Sequence, residues 1–154
     1  MIFNKNIFHL SAIVMATCLI MGCKGTARTA DAAKAVHTAP ITIHLDKEQV
    51  WQLTAINGRE LKPTDDAITI SFNPEVGTLK GRTACNTYSA GYKLLNAQLS
   101  ILNLQSSDLF CPDPAMNAEQ RYLGLLRKAN RMTVEGNNMT LYSNNREILK
   151  FGLQ

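Results

Sequence analysis

Gly81-Arg82-Thr83-Ala84-Cys85-Asn86-Thr87-Tyr88-Ser89-Ala90-Gly91-Tyr92 is the stretch on which the fold turns, because it joins the end of one strand to the start of the next. Upstream, Thr78 to Thr83 reads as a strand with Leu79 facing inward; downstream, Tyr88 to Leu94 and Gln98 to Leu102 read as a hairpin across Asn96. Working outward, Ala67 to Phe72 alternates Ile68, Ile70 and Phe72 with Thr69 and Ser71, and Asn73-Pro74 and Gly77 punctuate the turn that follows. Val50 to Ile56 is a further strand, ended by Asn57-Gly58, a pair suited to positive φ. Met132 to Glu135, Met139 to Ser143 and Glu147 to Phe151 close the chain around Gly136-Asn137-Asn138 and Asn144-Asn145-Arg146 turns. One helix interrupts them. Asp113 is its expected N-cap, Pro114 its first residue, and Asn130 its stop, with Met116, Tyr122, Leu123, Leu126 and Ala129 near one face. Short, closely spaced strands with a single α-helix predict a mainly β fold, a small antiparallel barrel-like sheet, since closure removes exposed strand edges.

The N-terminus follows different rules. Lys5 precedes an apolar run from Ile7 to Met21, interrupted by His9, Ser11 and Thr17, then Gly22 and Cys23. Fifteen residues fall short of the roughly 20 that span a bilayer, so the run reads as the core of a signal peptide. Ile20-Met21-Gly22-Cys23 resembles a bacterial lipobox, which implies that residues 1–22 are removed and that Cys23 carries the lipid. Several acyl chains anchor stably where one does so only marginally. Residues 23–47 then form the lipidated cysteine and a tether: Lys24 to Ala39 is Ala/Thr-rich, with Val36 its one large apolar residue, too little to offset ordering entropy. Ile41, Ile43 and Leu45 alternate with Thr42 and His44 as an outlying strand, and residues 48–154 make the domain. The expected location is the cell envelope, lipid-anchored at the outer membrane and facing the periplasm.

Processing takes only Lys5 from the charged residues, so the formal charge of +4 becomes +3. Arg121, Arg127, Lys128 and Arg131 cluster around the helix without interleaved aromatics, so no nucleic-acid partner is expected. With Cys23 acylated, Cys85 and Cys111 remain as a pair in an oxidising compartment, and a disulfide is the default. It would stabilise the domain by about 3 to 4 kcal/mol in the chain-entropy account. The competing reading, two free or metal-binding thiols, lacks a Cys-x-x-Cys pattern and a nearby histidine.

The quoted stretch, with Trp51-Gln52-Leu53 and Ile56-Asn57-Gly58 before it, resembles the META domain, or HslJ-like, family. Later pieces agree: Cys111 ahead of the helix, Tyr122 to Leu126, Met139-Thr140-Leu141 and Ile148-Leu149-Lys150-Phe151. The specific part is Gly-x-x-x-Cys-Asn-x-Tyr. Ala84 and Ala90 stand where such families often have glycine. The resemblance implies a mainly β fold with one helix and an envelope location, and it brings an association with heat-shock response and antibiotic tolerance. It supplies no reaction.

His9, His37 and His44 all precede Trp51, so imidazole-activated nucleophiles and His/Cys zinc sites are excluded from the domain. No glycine loop follows a strand to open a helix, so nucleotide binding has no support. Paired carboxylates remain: Asp65, Asp66, Asp108 and Asp113 are the residues for acid/base chemistry or a hard cation, though Asp113 reads as a cap and Asp65-Asp66 as a solvated loop. Asn86 reads as a residue satisfying loop backbone groups through its amide and tolerating unusual dihedrals, and Trp51 as core. The expectation is therefore a monomeric, non-enzymatic envelope protein with no cofactor or metal, its partners a membrane reached through Cys23 and an envelope protein. The rivals are an inhibitor of a secreted hydrolase such as a lysozyme or protease, marked by a protruding loop with a rigid exposed side chain, and a carboxylate-based hydrolase.

Overall fold

Apolar and polar side chains alternate from Val50 onward, and that alternation is realised as a sheet in the computed structural model, which describes residues 42–47, 49–62 and 67–154. The strands are β1 (Val50–Ile56), β2 (Arg59–Glu60), β3 (Thr69–Asn73), β4 (Thr78–Arg82), β5 (Thr87–Leu95), β6 (Gln98–Ser106), β7 (Arg131–Glu135), β8 (Asn138–Ser143) and β9 (Arg146–Leu153), with helix α1 (Ala115–Leu126) between β6 and β7. All pairings are antiparallel. β1 pairs with β3 on one side and β9 on the other, so β1-β3-β4-β5-β6-β7-β8-β9 form a ring, to which β2 adds a two-residue hairpin arm. The ring is thinnest between β6 and β7, where Gln98 opposes Arg131 and the Leu99 and Met132 amides donate to Asn130 and Ala97. The mainly β, barrel-like fold is thus the one expected.

Inside the ring, Ile70, Met132, Met139, Leu141, Leu149 and Phe151 are fully buried, each contributing about 1.5 to 3 kcal/mol of transfer free energy. Trp51 is core, as expected. Helix α1 turns Glu119, Tyr122, Leu123 and Leu126 into this interior, at i, i+3, i+4 and i+7. The Tyr122 ring meets Tyr88 of β5 edge-on at 5.6 Å and Phe151 of β9 at 6.4 Å, so the helix is locked to both sides of the ring.

Turn chemistry follows the residues. Asn57-Gly58 and Asn144-Asn145 both take positive φ at two successive positions, as two-residue hairpins require, and Gly136 supplies it before β8. Asn96 and Ala97 do the same, although Ala97 has a Cβ to accommodate. Asn103, also at positive φ, sits where β5 and β6 slip register between Ser89 and Gly91, a bulge that no residue pattern announced.

Several boundaries differ from expectation. The helix does not start from an Asp113 cap: Pro114 occupies that position, and the first turn is held by backbone bonds from Ala115 to Pro112 and from Ala118 to Pro114. It stops at Leu126, not Asn130. Lys128 and Ala129 bond three residues back, and the Asn130 amide leaves the helix for Tyr142. Residues 42–46 are not strand; Ile43 and Leu45 lean half-buried on the core, and Lys47 pairs with Glu75 at 2.8 Å. The signal peptide (1–22), Cys23 and the Lys24–Ala39 tether lie outside the described residues.

Candidate functional site

The Gly81–Tyr88 stretch is consumed by structure. Its centre is Glu119, which α1 places 5 % exposed beneath the β4–β5 connection. Thr83 donates its hydroxyl to Glu119 Oε2, and the Asn86 amide and side-chain Nδ2 donate to the same carboxylate at 3.1 Å. Thr83 Oγ1 accepts from the Cys85 and Asn86 amides at 3.2 and 2.8 Å, and the Thr83 amide donates to the Asn86 carbonyl at 2.7 Å. A carboxylate only accepts, and here each neighbour donates to it, which offsets the desolvation cost of a buried acid. Asn86 is 3 % exposed and its φ is not positive, so its value lies in the amide and not in unusual backbone. Sequence reasoning missed Glu119. The signal was an acid at the first position of the i, i+3, i+4, i+7 stripe that ends at Leu126.

Next to this node, Tyr88 donates to the Thr69 carbonyl at 2.9 Å and shares a 2.6 Å bond with the Tyr122 hydroxyl. Burial raises the Tyr88 hydroxyl above its ordinary value of about 10, against a lowering by the Tyr122 bond. Tyr122 is raised well above it by burial first and Tyr88 second. Raised folded values mean that the native state keeps protons the unfolded chain gives up. The contribution of both tyrosines is therefore whole below pH about 10 and declines above it, by up to about 1.4 kcal/mol per pH unit for each. Urea unfolding at rising pH is expected to show this decline, and Tyr122→Phe to make it shallower. An unchanged slope in that variant would contradict the assignment.

The segment after β6 is held from the same node. Asn86 Oδ1 accepts from Ser107 Oγ at 2.7 Å and from the Leu109 amide at 2.8 Å, while Nδ2 also reaches the Leu109 carbonyl at 3.2 Å. The Ser107 amide donates to the Thr87 carbonyl at 2.9 Å. Cys111 is joined to Cys85 with Cα atoms 6.0 Å apart. Between these fastenings Phe110 is 90 % exposed and Leu109 62 %.

Asp108 and Asp113 are both exposed, and Asp65 and Asp66 lie outside the described residues. Among the described residues no group of three or more His, Cys, Asp or Glu could hold a metal ion. A concavity of about 620 Å³ on the outer face of β3 to β6 presents Lys80, Arg82 and hydroxyls of Thr69, Ser71, Thr87 and Ser89. A second, of about 510 Å³, is largely apolar and lies between β1, Leu61, Ile68, Ala84 and the start of α1. Among the described residues neither is lined by a carboxylate, histidine or cysteine. Ala84 and Ala90 both avoid positive φ, so an alanine is held at each without backbone strain.

Three solved structures share the fold. One, an NMR structure of a protein from Burkholderia xenovorans, is 23 % identical with a TM-score of 0.58, covering 77 % of this chain and 97 % of that one. A second NMR structure is 23 % identical with a TM-score of 0.55, covering 70 % and 90 %. A crystal structure of a DUF4847-family protein from Bacteroides vulgatus ATCC 8482 is 15 % identical with a TM-score of 0.51, covering 68 % and 91 %. No curated protein matches the chain. The META domain profile matches residues 42–154, which takes in every described strand and the helix that carries Glu119, and the chain belongs to the META domain family.

Proposed function

We propose that this is a lipid-anchored bacterial envelope protein whose META domain works by binding a protein partner and not by catalysis, in stress response or envelope maintenance. The observation that carries the reading is a division of labour: Gly81, Thr83, Asn86 and Tyr88 are spent inside the domain, while the segment they fasten exposes Leu109 and Phe110. Adjacent apolar side chains held out in water, one of them an aromatic 90 % exposed, make a candidate interaction site. The anchor rests on Ile20-Met21-Gly22-Cys23.

The two parts separate in experiment. A clickable fatty acid should label the native protein, and Cys23→Ala should lose both the label and membrane retention; label retained by the variant removes the anchor. A photo-crosslinking amino acid at position 110 should give a discrete adduct in intact cells, and its absence removes the binding reading. The loop also favours the second reading, an inhibitor of a secreted hydrolase, because Phe110 stands exposed between the Asn86 bonds and the Cys85–Cys111 disulfide, and a contact fastened on both sides loses little entropy on docking.

A further inference from the structure

The Ser107–Asp113 loop has a directional design. Ser107 and Leu109 point their backbone groups inward, to Thr87 and to the Asn86 amide, whereas Asp108 and Phe110 enter none of the backbone hydrogen bonds among the described residues. The alternation has period two, that of a strand with one edge paired and the other free. A free edge accepts a partner's main chain by strand addition, with side-chain pockets setting specificity. The side chain offered at that edge is Phe110, 90 % exposed. Its neighbours on both sides are held by adjacent residues of the β4–β5 connection, Leu109 by Asn86 and Cys111 by Cys85.

We infer that this loop is a substrate-like inhibitory loop, and that Phe110 fills the aromatic-accepting specificity pocket of a secreted serine endopeptidase of chymotrypsin-like preference. The inference deepens the binding reading given above and rests on it. A hydrophobic slot for the residue before the scissile bond defines that enzyme class. In such a complex the Phe110–Cys111 peptide lies over the nucleophile. The disulfide and the Asn86 bonds hold the chain on either side of it, so the segment beyond it cannot depart as a product does. Because the loop is already ordered, little entropy is lost on docking, the condition under which a small contact binds tightly.

A lipid surface is the other home for an exposed Leu-Phe pair, but the charges oppose it. Asp108 and Asp113 flank the tip, and anionic leaflets attract basic segments, not acidic ones. Two apolar side chains also bury little in a bilayer beside the acyl chains proposed at Cys23.

The test uses the full-length protein in detergent micelles, with chymotrypsin and trypsin each assayed on a small chromogenic peptide. Competitive inhibition of chymotrypsin is expected, with little effect on trypsin. Phe110→Ala should weaken it by about 100-fold or more, since buried aromatic anchors dominate such interfaces. Phe110→Lys should move the inhibition to trypsin. Position 110 makes no core contact, so these variants keep the fold, and their circular dichroism and melting should match the native protein. Failure to inhibit chymotrypsin, rapid cleavage after Phe110, or inhibition indifferent to Phe110→Ala each overturns the proposal. So does Phe110-dependent binding to phosphatidylglycerol vesicles without protease inhibition. A failed protease assay with a position-110 adduct still formed in cells would reject the protease alone and leave the binding reading standing.

Discussion

Gly81→Ala is expected to destabilise the domain by about 3 kcal/mol or more, at the upper end for overpacking, and to leave much of it unfolded at growth temperature. Gly81 lies opposite Tyr88 in the β4–β5 ladder and opposite Ile70 in the β3–β4 ladder. A Cβ there would stand 2.0 Å from the Thr69 carbonyl oxygen and 2.6 Å from the Tyr88 hydroxyl oxygen. Neither can yield cheaply. The carbonyl belongs to the adjoining strand, and the hydroxyl is bonded to both that carbonyl and Tyr122. The glycine thus makes room for the aromatic ring that ties helix to sheet, an arrangement known to stabilise glycine in strands. Gly124 supplies the opposite case. It lies within α1 with open space around an added Cβ, so Gly124→Ala is expected to stabilise by about 0.8 to 1 kcal/mol. Urea unfolding of the two variants should move the midpoint in opposite directions; a Gly81→Ala midpoint equal to the native one would show that β4 and β5 are not packed as described.

These contrasts show what residue types alone reveal. The strands were legible because burial on one face forces an apolar alternation, and β1 runs over the same Val50–Ile56 that the alternation marks. The hairpins were legible because Asn and Gly take positive φ cheaply, a property of the residue itself. The β4–β5 connection was legible as important but not as to why. Asn86 acts through Glu119, thirty-three residues away, and an acid in a helix reads as solvated unless its place in the buried stripe is weighed. Phe110 illustrates the converse. An apolar residue is assigned to a core by default, and only the inward bonds of Ser107 and Leu109 leave it outside. The helix ends were misplaced because Asp113 and Asn130 are good terminal residues in general, whereas here backbone carbonyls fill the cap.

Asn86→Asp distinguishes a structural node from an ordinary loop asparagine, and it should cost about 3 to 5 kcal/mol, the scale for a buried charge that loses its partner. In loops and turns Asn and Asp are near equivalents, so a residue chosen only for backbone conformation would tolerate the change. Here the exchanged atom is Nδ2, which donates to Glu119 Oε1 and Oε2 at 3.1 Å and to the Leu109 carbonyl at 3.2 Å. An oxygen in its place sets acceptor against acceptor at all three contacts, and carboxylate against carboxylate inside a site whose two residues are 3 % and 5 % exposed. Oδ1 still accepts from Ser107 and Leu109, so the damage falls on the Glu119 side. Asn86→Ala removes the amide without adding repulsion and should cost less than Asn86→Asp, reversing the order expected of a turn. Adding Glu119→Gln to Asn86→Asp restores a donor facing the new carboxylate, while Thr83 and the residue-86 amide keep an oxygen to bond. The pair should therefore recover about 1 to 3 kcal/mol relative to the sum of the single changes, as contacting residues do in a cycle. Rescue stops short of native stability because the Leu109 carbonyl still faces an oxygen. Additive losses in the cycle, or an Asn86→Asp domain as stable as the native one, would mean that Glu119 and Asn86 do not share the bond.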